Sequence, residues 1–224
     1  MIDESGPWRE ELQKSAVRLL RWNTQQRWTA RTYYLAERDV MMGAYAIRRL
    51  IDSGKTSSLL GARRYTVIHY PLVGQVPMVL DRFNPEEFYN LEKPTRGQLD
   101  VAHLCNQIIH SFVFQIFLTP EDTTSVMLVS DRDRARRVHP ISFETLAELF
   151  DYVAREEIVS THGTMIDGEQ KFANTSNHDL VETGRAVYMN EQRVLIDRHP
   201  SGEEVFEAAV RDMVERRMGH SPTG

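Results

Sequence analysis

The chain has 224 residues, 41% of them hydrophobic and 26% charged, with a formal charge of −5, the proportions of an ordinary folded soluble protein. No stretch approaches the roughly 18 uninterrupted apolar residues of a membrane helix, and the single cysteine, Cys105, excludes an internal disulfide and a cysteine-built zinc site. The acidic, polar start Met1–Pro7 has the wrong chemistry for a secretory signal, so the reading is an intracellular, cytoplasmic chain with no membrane partner.

Charge is uneven. Residues 1–64 carry a net excess of basic groups, the remainder a larger excess of acidic ones, and only Lys14, Lys55, Lys93 and Lys171 among the basic residues are lysine. Arginine enrichment fits either a GC-rich genome or bidentate contacts to phosphate and carboxylate.

From Trp8 to Met42 no glycine or proline interrupts the chain, and helical spacing at Leu12, Ala16 and Leu19, then at Tyr34, Met41, Met42 and Tyr45, predicts two helices over about 8–24 and 27–53. Gly54 ends the second, and Lys55–Arg64 reads as a loop. Tyr65–Tyr70 has strand composition, broken by Pro71, Gly74 and Pro77. Asn84-Pro85-Glu86-Glu87 predicts a short helix to about Leu91. Thr95-Arg96-Gly97-Gln98 predicts a capping box opening a third helix, buried on most sides, that continues to His110.

Phe112–Leu118, Ser125–Val129 and Ala135–Ile141 read as a three-stranded antiparallel meander. Ser142 then caps a helix whose Phe143, Leu146, Leu149, Phe150 and Val153 share one face. Residues 158–183 are polar and without periodicity, the pattern of a mobile loop. Ala186–Met189 and Arg193–Asp197 suggest a hairpin, and Ser201-Gly202-Glu203-Glu204 opens a last amphipathic helix. Helices first and strands later predict an α+β fold, with residues 1–156 as a helical core plus meander and 157–224 as a loop, hairpin and C-terminal helix.

Complete site motifs are absent. Gly54-Lys55-Thr56 resembles the end of a phosphate-binding loop, but Arg49 stands where the first glycine belongs and a helix, not a strand, precedes it. His103 and His110 lie about 10 Å apart along a helix, too far to chelate one ion, and His139, His162, His178 and His199 have no ligand spacing. No cofactor is implied. Arg132, Arg134, Arg136 and Arg137 are the densest basic cluster, either a weak nucleic-acid contact or, with Asp131 and Asp133 interleaved, a solvated turn.

Asn106 and His110, four residues apart, share a helix face. With two long opening helices before them, they give the chain a resemblance to the HEPN helical domains, which include ribonucleases of prokaryotic toxin and antiviral systems. The family motif is an arginine, usually a following polar residue such as asparagine, three more residues and a histidine; here Cys105 occupies the arginine position, and Arg96 with His103 matches a looser version. The resemblance implies His110 as acid or base toward a ribose 2′-hydroxyl with Asn106 as its companion, an RNA partner and a homodimer. Without the family, His110 reads as a structural histidine bonded to Asn106 or to a carbonyl at the helix end.

The primary reading is a non-enzymatic interaction or accessory protein that binds a protein partner, in a bacterial host-defence or mobile-element setting. Its alternative is a metal-independent ribonuclease using His110 or His103 with Asn106 and Arg96.

Overall fold

The structure, a computed structural model, describes residues 4–166, 169–183, 186–189 and 195–198. It is α+β: helices lead, and every pair of neighbouring strands is antiparallel. The chain divides into two compact units, one drawn from Met1–Leu50 and Gly61–Arg155, the other from Ile51–Leu60 and Glu156–Gly224. No described helix is long and apolar enough to cross a membrane.

In the first unit, α1 (Gly6–Asn23) starts with Pro7 in its first turn and buries Leu12, Ser15, Ala16, Leu19 and Trp22. α2 (Ala30–Asp52) starts later than its periodicity predicts because Thr29 caps it, its hydroxyl accepting the Thr32 amide at 3.2 Å. The inward face of α2 includes Leu50, as the spacing predicts, but not the tyrosines. Ala36, Val40, Gly43, Ala44, Ala46 and Ile47 are buried, whereas Tyr34, Met42 and Tyr45 face solvent. Small residues inside let the backbone come close to its neighbour: a Cβ on Gly43 would fall within the Phe150 ring.

The sheet order is β2-β1-β5-β4-β3. β3 (Ser111–Leu118), β4 (Thr124–Ser130) and β5 (Arg137–Ser142) form the meander that the sequence predicts. β1 (Arg64–Pro71) joins β5 through Tyr70 opposite Val138. All seven residues of β4 are buried, so the sheet is covered on both faces. Val129 and Met127 point into a cluster with Val113, Val138 and Tyr89, flanked by Tyr70, Leu72 and Phe88. The intervening residues Val126 and Leu128 are wholly buried on the opposite face, and α1, α3 and α4 all pack against this strand. α4 (Phe143–Ala154) begins at Ser142, whose hydroxyl accepts the Thr145 amide at 3.1 Å.

Two expectations in this unit fail. Thr95–Asp100 is not the start of a helix but strand β2, paired along the edge of β1 from His69–Thr95 to Arg64–Asp100. Alternation at Gly97 and Leu99 serves an open sheet edge, and the helix, α3 (Val101–Ile109), starts only where the Asp100 carboxylate accepts the His103 amide at 2.7 Å. The helix expected at Asn84–Leu91 shrinks to one 3₁₀ turn, Pro85–Glu87, and Asn84 makes no side-chain cap. Tyr89 is drawn into the sheet cluster instead, its hydroxyl donating to the Arg134 carbonyl at 2.8 Å.

In the second unit, the mobile loop expected at 158–183 is ordered: β6 (Ile158–Ile166) and β7 (Glu169–Ser176) form a hairpin, followed by α5 (Asn177–Thr183). Its polar composition misleads because polar side chains close the contacts. The Asn174 side-chain amide donates to the Gly54 carbonyl at 2.7 Å, its backbone amide donates to the Ser58 hydroxyl at 2.9 Å and its carbonyl accepts the Ser58 amide at 3.0 Å, while Ser176 and Asp179 cap each other. The predicted second hairpin is present as β8 (Ala186–Met189) with β9 (Leu195–Arg198). The last predicted helix lies outside the described residues.

Gly43→Ala is expected to destabilise the protein by about 1–3 kcal/mol, because the new methyl must displace the Phe150 ring. Urea unfolding measures it, and Phe150→Leu in the same chain should restore part of the loss. Unchanged stability of Gly43→Ala would show that α2 approaches less closely.

Candidate functional site

The residues singled out for the ribonuclease motif lie on β2 and at α3 with its C-cap. Arg96 lies exposed on β2, so it shares no helix with His103, and their looser motif does not exist as a helical pair. Cys105 is 1% exposed, and burial pushes its thiol up to about 12. Position 105 therefore faces the core, where the thiol stays neutral and out of reach of a phosphate. His110 ends α3: its backbone amide donates to the Asn106 carbonyl at 3.0 Å, and its side chain is exposed. The contact between residues 106 and 110 is thus a backbone cap.

A different set converges one turn away. The Gln107 carbonyl oxygen accepts the Ser130 amide at 2.7 Å, which fixes the orientation of its side-chain amide. The amide nitrogen then donates to Asp133 Oδ2 and sits 2.9 Å from His103 Nε2. His103 Nε2 is also 3.3 Å from Asp133 Oδ2, with the histidine 43% and the carboxylate 12% exposed. α3 supplies His103 and Gln107 on one face at i, i+4; the turn between β4 and β5 supplies Asp133. A half-exposed imidazole held against a sheltered carboxylate is the arrangement of an oriented acid or base.

The four arginines of that turn do not act as one patch. Arg134 is engaged three ways: its guanidinium donates to the Pro77 carbonyl at 3.0 Å, pairs with Asp131 at 3.3 Å and lies 4.5 Å over the Phe112 ring. Arg136 stands 3.8 Å from Asp133, and Arg132 is exposed. Arg137 lies near a pair of histidines, partly exposed His69 and buried His139, raising the cost of charging either ring.

In that pair, the rings of His69 and His139 meet edge-on with centroids 5.9 Å apart, and His69 covers Gly97, where a Cβ would stand 2.9 Å from Nδ1. His139 is 1% exposed, and neither ring nitrogen finds a hydrogen-bond partner of normal geometry among the described residues. Burial above all, then the Arg137 charge, holds it down to about 4, against a partial opposing effect of the Ile68 backbone. A neutral, unpartnered histidine at the centre of a sheet is a packing group whose charging breaks the core.

Gln107 and Asp133 were missed by motif reasoning. The available signal was Gln107 itself, a polar residue among Leu104, Cys105 and Ile108 on a mostly buried helix. Among the described residues no group of three His, Cys, Asp or Glu side chains could hold a metal. Comparison with known proteins gives no matching family model, curated relative or solved structure.

Because the folded His139 resists protonation, its contribution to stability is complete above the unfolded value near 6.5 and is lost as pH falls toward 4. Between pH 7.5 and pH 5 this one group should remove about 2 kcal/mol. Urea unfolding at both pH values should show that loss in the wild type and a smaller one in His139→Leu. Equal losses in the two proteins would assign the acid sensitivity elsewhere.

Proposed function

We propose that the chain is an interaction module, an accessory protein or subunit that docks a protein partner through the loop between β1 and β2. The observation that carries this reading is the exposure of that loop's apolar side chains: Leu80 is 81% exposed, Met78 72%, and Val79 and Phe83 63% each. Monomeric surfaces seldom concentrate so many large apolar groups in one short segment.

The segment is also held in shape. The Asp81 carboxylate accepts the Met78 amide at 2.7 Å, the Pro77 carbonyl is clasped by Arg134, and Leu72 and Tyr89 pair as an isolated bridge at the base. A loop already ordered loses little entropy on binding, which favours a docking role. The cytoplasmic setting and the defence or mobile-element context belong to the same proposal.

The test is a double substitution, Leu80→Asp with Phe83→Asp, in the full chain. Both sites are exposed, so thermal unfolding should be almost unchanged. Quantitative co-purification from the source cells should recover a defined protein with the wild type and lose it with the variant. Equal recovery by both would remove the loop from the interface.

The His103–Asp133 contact supports a second reading, a metal-independent ribonuclease in which His103 serves as base or acid. Single-stranded RNA in excess chelator should then be cut by the wild type and at least about a hundredfold more slowly by His103→Ala. No cleavage by the wild type across a mixed-sequence RNA would end it.

A further inference from the structure

The first unit holds a groove of about 440 Å³ between α1 and α2, within the volume range of small-molecule sites. Its two ends differ chemically. At one end Trp8, Leu12, Met42 and Ala46 form an apolar trough, with the Trp8 ring 6.3 Å from Tyr45. At the other end lie Arg18, Arg38, Asp39 and Ser15. Trp8 and Arg18 are ten residues apart on one helix, which makes the groove about 15 Å long.

The ionic end is built rather than incidental. Asp39 is buried, its side chain 3% exposed, and both its oxygens are occupied: Arg18 Nε donates to Oδ2, while Arg38 donates to Oδ1 from Nη2 at 2.9 Å and from Nε at 3.2 Å. Arg18 Nη2 is tied in addition to the Ser15 hydroxyl at 3.0 Å. One shielded carboxylate therefore fixes two guanidinium groups that are themselves 34% and 44% exposed. Neither Arg18 Nη1 nor Arg38 Nη1 has a partner among the described residues. Two positive groups thus stand around the one shielded carboxylate, and the charges of both also reach Glu11. Glu11, which also borders the groove, is bound to Lys14 at 2.9 Å and is largely solvent-exposed.

We propose that this groove binds a small amphipathic carboxylate, its head between Arg18 and Arg38 and its apolar body along Leu12 and Met42 toward Trp8. A planar guanidinium matches a carboxylate through paired N–H donors, and the trough removes the attached hydrocarbon from water. The protein-docking loop has no part in this site.

The experiment is isothermal titration of the full chain with octanoate, against octanol as the uncharged analogue. The wild type should bind octanoate at least about tenfold more tightly than octanol, a difference of about 1.4 kcal/mol. Arg38→Gln leaves Asp39 paired with Arg18 and should weaken octanoate binding at least about tenfold. Met42→Asp, at an exposed position, should abolish binding by placing a charge in the trough, with circular dichroism confirming the fold. Leu80→Asp with Phe83→Asp should bind octanoate as the wild type does, which separates this site from the docking loop. Absence of octanoate binding by the wild type, octanol binding as tightly, or unchanged binding in both groove variants would each overturn the proposal.

Discussion

Burial of β4 on both faces is the constraint on which the rest of the first unit depends. Thr124–Ser130 has apolar side chains pointing up and down, so one layer of helices cannot satisfy it. The helices cover Val126 and Leu128, and the other face is left to the long connection between β1 and β2. That connection must then contribute apolar groups inward, which Leu72, Phe88 and Tyr89 do. It must also be pinned at its edges, which Arg134 and Asp81 accomplish. Its remaining apolar residues have no interior left to enter. The exposed patch at Met78–Phe83 is therefore a consequence of the same layer that closes the sheet.

Polar groups at the ends of this core follow one rule, that a group removed from water keeps partners. Thr124, where β4 begins, donates its amide to Asn23 at 3.1 Å and its hydroxyl to the Trp22 carbonyl at 2.9 Å, joining strand to helix. At the opposite end of β4, Gln107 accepts from Ser130 and donates to Asp133. Asp39 is matched by two arginines, since a lone buried carboxylate would cost several kcal/mol. His139 departs from the rule and remains neutral as a result.

What could be read from the sequence was the set of elements whose signals are local. The Ser142 cap, the apolar face of α4, the meander and both opening helices follow from periodicity and composition. What escaped depends on partners distant in the chain. Thr95–Asp100 carries helix-like capping residues, yet the open edge of β1 takes it as a strand. The polar hairpin at Ile158–Ser176 has no periodicity of its own, and its Asn174 is satisfied by the Gly54 carbonyl and the Ser58 hydroxyl. In α2 the aromatic residues Tyr34 and Tyr45 face solvent, while the buried face mixes Val40, Ile47 and Leu50 with small residues, among them Gly43 against Phe150. Among the candidate site residues, His103 meets a carboxylate 30 positions away whose role no spacing announces.

The geometry around α3 also orders the functional readings. A helical ribonuclease site of the expected pattern needs a cation beside Asn106, and position 105 points into the core. His110 lies near the right place, but its tie to Asn106 is through backbone, so nothing in that contact orients its ring. His103 is oriented, and in the neighbouring turn Arg134 is engaged by Pro77 and Asp131 while Arg136 stands 3.8 Å from Asp133. A phosphate arriving at His103 would need positive charge to receive its oxygens, since charge stabilisation is usually the largest part of such catalysis. The apolar loop requires no such assembly. Its side chains stand on a braced backbone, and removing them from water is itself the driving force for binding. Docking is therefore the reading that asks least of groups already engaged in holding the fold.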